Sequence, residues 1–122
     1  MVVAVIGASS NRDKFGNKAV RAYARQGFDV YPVNPSDGTI EGLKVYRSVL
    51  DIPVEVDRVA VYLPPKRTLD VLDDIAKKGT KELYLNPGTE DQAVIDKATA
   101  LGLEPILACS IIAIDDSPDN YA

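Results

Sequence analysis

Apolar and polar positions follow one another along the chain in a pattern that predicts strands separated by helices. Val2–Ile6 is a run of five apolar residues, mostly β-branched, which is typical of a strand buried on both faces. From about Phe15 apolar residues recur at helical spacing, and Gly27 predicts the end of that helix. One side of this first helix is predicted to carry Ala19, Val20, Tyr23 and Ala24.

The same alternation continues to the end of the chain. Further strands are predicted at Phe28–Val33, Asp57–Leu63, Glu82–Leu85 and Leu103–Ala108. Further helices are predicted at Thr68–Lys78 and at Glu90–Ala100, the second with Thr89 as its N-cap. Pro32 removes a backbone donor from the second strand, which predicts an irregularity near the end of that strand.

Strands that alternate with helices predict right-handed βαβ units and a parallel sheet with both faces covered. The predicted fold class is α/β, a single Rossmann-type three-layer domain over residues 1–122 with about five strands in the order 3-2-1-4-5. In such sheets ligands bind beyond the carboxyl ends of the strands. A site is therefore expected in the turns Gly7–Phe15, Val33–Ser36, Leu63–Thr68, Asn86–Thr89 and Cys109–Ser110.

Composition narrows the function classes. The 122 residues are 46% apolar and 26% charged, as in an ordinary globular domain. The net charge of −4 argues against nucleic-acid and membrane-surface binding, so a local basic cluster must hold any anionic ligand. The single cysteine cannot form an internal disulfide, and no apolar run approaches a membrane span. We expect a cytoplasmic protein without a secretory signal, and no metal site is predicted.

The turn after the first strand carries the main candidate chemistry. Gly7–Asn11 lets the backbone turn sharply before a helix N-terminus, where unpaired N–H groups attract anions. The turn matches neither the P-loop nor the Gly-x-Gly-x-x-Gly pattern, but Ser9 and Ser10 offer hydroxyl donors. Arg12 and Lys14 lie where a phosphate would be reached. The alternatives are a tight turn without a ligand and solvated loop charges.

The other turns at this edge are each open to two interpretations. Asn34-Pro35 follows the second strand where dinucleotide proteins place an acid, and the first acid here is Asp37; the alternative is a plain turn. Leu63-Pro64 is a rigid apolar wall or a strand stop, and Asn86-Pro87-Gly88 leads to a second helix N-terminus that could hold an anion. Cys109 is more typical of a buried small residue than of a reactive thiol.

Several short segments together resemble the coenzyme A-binding domain family, which is similar to the N-terminal domain of the succinyl-CoA synthetase α subunit. They are Gly7-Ala8-Ser9 with Lys14 and Gly16, Tyr31–Pro35, Gly42 with Tyr46, Asp51-Ile52-Pro53 and Asp57. The resemblance covers nearly the whole chain and implies a Rossmann-type domain that binds coenzyme A (CoA) across the strand ends.

The resemblance also assigns contacts. It implies that Gly7, Ala8, Ser9, Ser10 and Lys14 meet the phosphates of CoA. It further implies that the nucleotide end contacts Asn34 and Pro35, and that Leu63 and Pro64 border the adenosine or the pantetheine. With the positions suggested by the turns themselves, the candidate cofactor-binding residues are Gly7, Ala8, Ser9, Ser10, Arg12, Lys14, Asn34, Pro35, Leu63, Pro64, Asn86, Pro87 and Gly88.

The chain has no histidine, so the phosphohistidine of the related synthetase has no counterpart in it. It also offers no evident acid–base pair or Ser-His arrangement. We therefore expect binding of CoA or an acyl-CoA without catalysis. The alternatives are an NAD(P)-binding oxidoreductase or redox-sensor domain and an interaction domain without a ligand. The sequence does not identify a protein partner.

Overall fold

Five parallel strands form the central sheet of the structure, a computed structural model that describes residues 1–36 and 38–122. The strands in chain order are β1 (Val2–Ile6), β2 (Asp29–Val33), β3 (Thr39–Ile40), β4 (Leu43–Lys44), β5 (Val56–Val61), β6 (Thr80–Leu85) and β7 (Pro105–Leu107). The helices are α1 (Phe15–Arg25), α2 (Pro65–Lys78) and α3 (Gln92–Ala100), and 3₁₀ turns lie at Val49–Asp51, Ile112–Ile114 and Pro118–Tyr121. The predicted α/β class and parallel sheet are confirmed.

The predicted strand order is wrong. The sheet runs β2-β1-β5-β6-β7, which is 2-1-3-4-5 when its five strands are numbered along the chain, and not 3-2-1-4-5. Pro32 has no N–H for a ladder on both sides, and such a residue belongs on an edge strand. In the described part of the chain, the outer side of β2 pairs with no further strand of this sheet and carries an isolated bridge between Val33 and Tyr46, with the Tyr46 N–H donating to the Pro32 carbonyl at 2.9 Å. The third long strand, β5, pairs with the free side of β1 instead.

Both faces of the sheet are covered, as predicted. Along β1, Ala4 and Ile6 point into one apolar cluster, while Val3 and Val5 point into the other. The first cluster contains Leu72 and Ile75 from α2 and Val94 and Ala98 from α3. The second contains Ala19, Val20, Ala22 and Tyr23 from α1 with Ile111 and Tyr121 from the C-terminal segment. Alternate side chains of one strand thus pack into two cores on opposite faces of the sheet, so the fold has three layers.

Several element boundaries differ from the predictions. The helix α2 begins at Pro65 rather than Thr68, because proline fits the first helical position, where its missing N–H is not needed. The N-cap of α3 is Asp91, whose carboxylate accepts from the Val94 N–H at 2.9 Å, and not Thr89. Ala24, predicted on the buried side of α1, is exposed. Asp37, in the turn after β2, lies outside the described residues.

The strands share a common line at their carboxyl ends. Ile6 pairs with Val33 on one side and Val61 on the other, Val61 pairs with Leu85, and Leu85 pairs with Leu107. The loops that follow the five strands therefore leave the sheet along one edge.

Hydrogen bonds join the C-terminal segment to α1 and also hold the residues of that segment together. Arg21 donates to the carbonyl oxygen of Tyr121 at 2.9 Å, and the Tyr121 hydroxyl donates to Asp116 at 2.6 Å. Asn120 and the Ser117 N–H also donate to that carboxylate, each at 2.8 Å. These donors, Tyr121 above all, lower the pKa of Asp116 from 3.8 to about 2.

Acid should loosen this segment only at very low pH. A carboxylate whose pKa is depressed by folding stabilises the folded state above its unfolded pKa, and this contribution disappears as the pH falls through the folded value. We expect the segment to remain docked above pH 4 and to loosen as the pH falls from about 4 towards 2. Amide hydrogen exchange at Ser117 and Asn120 would measure this, with Asp116→Asn already loosened at pH 7. Equal protection in the variant at pH 7 would contradict the prediction.

The first turn of α1 touches the backbone that leaves β1. A Cβ placed on Gly16 would overlap the carbonyl oxygen of Gly7 and would lie 3.3 Å from the Cα of Ala8. No side chain therefore fits between this helix and the loop, and only glycine allows the approach.

Gly16→Ala should therefore lower the free energy of unfolding by about 1–3 kcal/mol, the usual cost of overpacking. An unobstructed glycine in a helix behaves in the opposite way, because alanine there is favoured by about 1 kcal/mol. Urea denaturation of the wild type and of Gly16→Ala measures whether the substitution lowers or raises the free energy of unfolding. A more stable variant would show that the contact relaxes without cost.

Candidate functional site

A cleft of about 610 Å³ opens at the carboxyl edge of the sheet. It lies beside the boundary between β1 and β5, where the strand order reverses and where ligands of open α/β sheets bind. The loops after β1, β5, β6 and β7 supply its walls, whereas the described residues of the turn after β2 do not. The residues that line it are Gly7, Asp13, Lys14, Phe15, Gly16, Tyr62, Leu63, Pro64, Asn86, Pro87, Gly88, Thr89 and Cys109.

One end of the cleft is the N-terminus of α1. Lys14 is the N-cap of this helix, but its side chain caps no backbone N–H. Within the described residues, the N–H groups of Phe15 and Gly16 have no hydrogen-bond acceptor. Unpaired N–H groups and the helix dipole give this end a partial positive charge, to which the exposed ammonium of Lys14 adds. This end of the cleft favours an anion.

The walls of the cleft are largely apolar. Leu63 and Pro64 come from the end of β5, Pro87 from the loop after β6, and Phe15, which is 57% exposed, from the start of α1. Gly7 has a φ of 88°, and a Cβ there would lie 2.6 Å from the carbonyl oxygen of Tyr62. The backbones after β1 and β5 thus run almost in contact, and glycine is required at position 7 both for its φ and for this approach.

The floor contains Tyr62 and Asn86, which are linked beneath the cleft through the buried Ser110. The Asn86 amide donates to the Val61 carbonyl at 2.9 Å, which directs its own oxygen towards Ser110. That oxygen accepts from the Ser110 N–H at 2.8 Å and from the Ser110 hydroxyl at 3.0 Å. The hydroxyls of Tyr62 and Ser110 are 2.7 Å apart. Because the single proton of Ser110 goes to Asn86, the Tyr62 hydroxyl donates to Ser110.

This floor is poorly suited to proton transfer. Burial raises the pKa of Tyr62 well above its usual range, although the hydrogen bond to Ser110 opposes the shift. The Ser110 carbonyl also accepts from the Tyr23 hydroxyl at 2.7 Å, and burial likewise raises the pKa of that phenol. At neutral pH both phenols therefore remain protonated, so neither is a general base.

The predicted site residues fall into two groups. Those that line the cleft are Gly7, Lys14, Leu63, Pro64, Asn86, Pro87 and Gly88. Those that do not are Ala8, Ser9, Ser10, Arg12, Asn34 and Pro35. In the second group Ala8 is buried, Ser10 and Pro35 are exposed, and Ser9 is half-buried.

Hydrogen bonds show how three of the predicted polar side chains are used. Arg12 forms an ion pair with Glu41 at 3.3 Å. Asn34 donates to the Ala8 carbonyl at 2.7 Å, and its oxygen accepts from the Ser36 N–H at 2.8 Å. Asn86 lines the cleft, but its amide is committed to Val61 and Ser110. Both asparagine side chains thus bind backbone groups of neighbouring segments.

Sequence reasoning missed the contributions of Tyr62, Thr89 and Asn17. The sequence pattern predicts Tyr62 inside a strand, but β5 ends one residue earlier and leaves it at the edge. The sequence pattern predicts Thr89 as a helix cap, but its hydroxyl donates to the Asn86 carbonyl and closes the turn. Asn17 is fully buried on α1, and its position three residues before Val20 on the apolar side was an available signal.

Neither a metal site nor a membrane span is found in the part of the chain that the structure describes. Residues 1–36 and 38–122 contain no group of three or more His, Cys, Asp or Glu side chains that could hold a metal ion. None of their helices has the length and apolar character needed to cross a bilayer.

Known proteins that are similar to this chain in sequence include two CoA ligases. The α subunit of an ADP-forming acetate–CoA ligase I from Pyrococcus furiosus is 41% identical over 85 residues, which are 65% of this chain and 18% of that subunit. A 4-hydroxybutyrate–CoA ligase (ADP-forming) from Nitrosopumilus maritimus is 30% identical over 116 residues, 85% of this chain and 16% of that enzyme. The chain thus spans less than a fifth of either relative.

A solved structure of similar size shares the fold. A conserved hypothetical protein from Pyrococcus furiosus superposes with a TM-score of 0.83 at 36% identity, and the match covers 91% of this chain and 97% of that one. Residues 1–115 match the family described as CoA binding domain. The match includes every strand of the sheet and every loop that lines the cleft. The chain therefore belongs to the CoA-binding domain family.

Proposed function

We propose that this chain binds CoA or an acyl-CoA in the cleft at the carboxyl edge of its sheet, as one binding unit without catalysis. The observation that carries the proposal is the uncapped N-terminus of α1, which opens into the cleft of a chain that belongs to the CoA-binding domain family. Similarity to CoA ligases from two archaea supports the same ligand.

The phosphates of CoA fit the positive end of the cleft. The chain carries a net charge of −4, so an anion needs local donors rather than a general attraction. The free N–H groups at Phe15 and Gly16 and the Lys14 ammonium supply them, with Ser9 and Ser10 beside them on the same loop. Arg12 and Asn34 are already engaged by Glu41 and the Ala8 carbonyl, so we do not assign them direct contacts.

The pantetheine arm fits the apolar part of the cleft. The whole cleft has a volume of about 610 Å³, which is within the usual range of cofactor sites. Such sites are mostly apolar with a few polar groups. Leu63, Pro64 and Pro87 form walls for an extended chain, and Cys109 lies at the end supplied by the loop after β7. The arm is therefore proposed to run from Lys14 across the end of β5.

The proposed absence of catalysis rests on the side chains of the cleft. The chain has no histidine, and the Tyr62 phenol and the Ser110 hydroxyl have both committed their protons. The curated relatives are named as ligases, and this chain spans less than a fifth of their length. We propose that it supplies CoA recognition rather than the bond-forming step.

Replacing Lys14 should weaken CoA binding. Lys14→Ala removes a charged donor to phosphate and should cost about 1.5–3 kcal/mol of binding free energy. The free energy of unfolding should change by less than about 0.5 kcal/mol, because the side chain is exposed. Calorimetric titration measures the affinity. Lys77→Ala, an exposed lysine in the last turn of α2, is the matched control and should bind like the wild type. Equal affinities of the two variants would remove Lys14 from the site.

The only cysteine of the chain can be used to measure how much of the protein has a ligand in the cleft. Cys109 lines the cleft and is partly accessible, so a bound ligand should shield it from alkylation by iodoacetamide. Desulfo-CoA, which lacks a competing thiol, should slow labelling about tenfold at ten times its dissociation constant, because about nine-tenths of the sites are then filled. Intact-mass analysis follows the reaction.

The same assay separates the alternatives. NAD at the same concentration should leave the labelling rate unchanged, and Lys14→Ala should need more desulfo-CoA for the same protection. Protection by NAD and not by desulfo-CoA would favour a dinucleotide-binding domain. Protection by neither ligand would favour a domain without a nucleotide ligand.

A further inference from the structure

Three side chains capture carbonyl groups of the loop between β1 and α1. Asn34 donates to the Ala8 carbonyl at 2.7 Å, and Asn17 donates to the Ser9 carbonyl at 2.8 Å. Arg21 donates to the Arg12 carbonyl at 2.8 Å. The donors come from α1 and from the turn after β2, so two neighbouring elements hold one loop.

A hydrogen bond that fixes the carbonyl of one residue also fixes the direction of the N–H group of the next residue. In a trans peptide the C=O of one residue and the N–H of the next point in opposite directions. The bonds to Ala8 and Ser9 therefore turn the N–H groups of Ser9 and Ser10 away from the two asparagines. Within residues 1–36 and 38–122, neither N–H has an acceptor. Successive free N–H groups of this kind form an anion-binding concavity.

Asn17 is the more deeply placed of the two asparagines. It has no exposed surface, its oxygen accepts from Arg21 at 2.7 Å, and its amide also donates to Glu41 at 3.2 Å. Glu41 has a φ of 50°, in the left-handed region, at the turn between β3 and β4. A non-glycine residue there carries strain, and such strain collects where the surrounding structure serves a function.

We propose that Asn17 and Asn34 are positioning residues for CoA. By holding the Ala8 and Ser9 carbonyls, they present the Ser9 and Ser10 N–H groups to the diphosphate of the ligand without touching it. This inference rests on the proposed function and changes the part played by Asn34, from a contact with the nucleotide to a support for the loop.

Three substitutions of one kind test the inference. In Asn17→Asp and Asn34→Asp the side chain keeps its shape and its acceptor oxygen but loses the donor to the loop carbonyl. Asn11→Asp is the matched control. Asn11 lies on the same loop and uses only its oxygen, which accepts from the Asp13 N–H at 3.0 Å, so aspartate preserves that bond while adding the same charge.

Affinity is measured for CoA and for pantetheine, which has no phosphate. Asn17→Asp and Asn34→Asp should weaken CoA binding about tenfold more than Asn11→Asp does, the cost of about one misdirected hydrogen bond. Pantetheine affinity should be the same in all four proteins. In nuclear magnetic resonance spectra, CoA should shift the Ser9 and Ser10 amide signals of the wild type and Asn11→Asp more than those of the other two variants.

The outcomes are distinct. If the wild type binds CoA and all three variants weaken it equally, the positioning role is wrong and the proposed function stands. A loss of affinity for both ligands in Asn17→Asp and Asn34→Asp would mean general damage to the fold and would also overturn the inference. If Asn17→Asp does not fold, Asn34→Asp decides alone, since Asn34 is only half-buried. A wild type that binds no CoA overturns the proposed function and this inference together.

Discussion

The close approach of α1 to the backbone that leaves β1 is the constraint on which the site depends. Gly16 lies against the Gly7 carbonyl, and Gly7 lies against the backbone of Tyr62. Three segments from α1, β1 and β5 therefore meet without intervening side chains. A larger residue at position 16 would push the helix N-terminus away from the loop after β1. A larger residue at position 7 would push that loop away from β5, at the boundary where the strand order reverses.

Most of the secondary structure was predictable because it depends on local patterns. The five apolar residues of β1 and the helical spacing of α1 gave elements that match the structure at their first residues. The strand order depends on which side of β1 the third strand joins, and no local pattern encodes that choice. Pro32 carries relevant information, since a proline inside a strand favours an edge position as well as the local irregularity predicted from it.

The candidate site was predictable where it follows from topology. Gly7, Leu63 and Asn86 come directly after or close to strand ends, and parallel strands bring such residues to one edge. The roles of Asn17, Asn34 and Asn86 were not predictable, because each depends on a carbonyl that is distant in sequence or buried by another element. An asparagine in a loop suggests a ligand contact, yet a buried amide more often satisfies the backbone.

Hydrogen bonds fix the side chains at the floor of the cleft before any ligand binds. Tyr62, Ser110 and Asn86 hold one another in single orientations, and Tyr23 and Arg58 extend this set of bonds into the interior. The ordering cost of these side chains is met when the chain folds, so a ligand in contact with Tyr62 and Asn86 would not have to freeze their rotamers. Selectivity for a ligand bound here would then depend on its shape, because side chains held in single orientations do not rearrange to fit a poorly matched molecule.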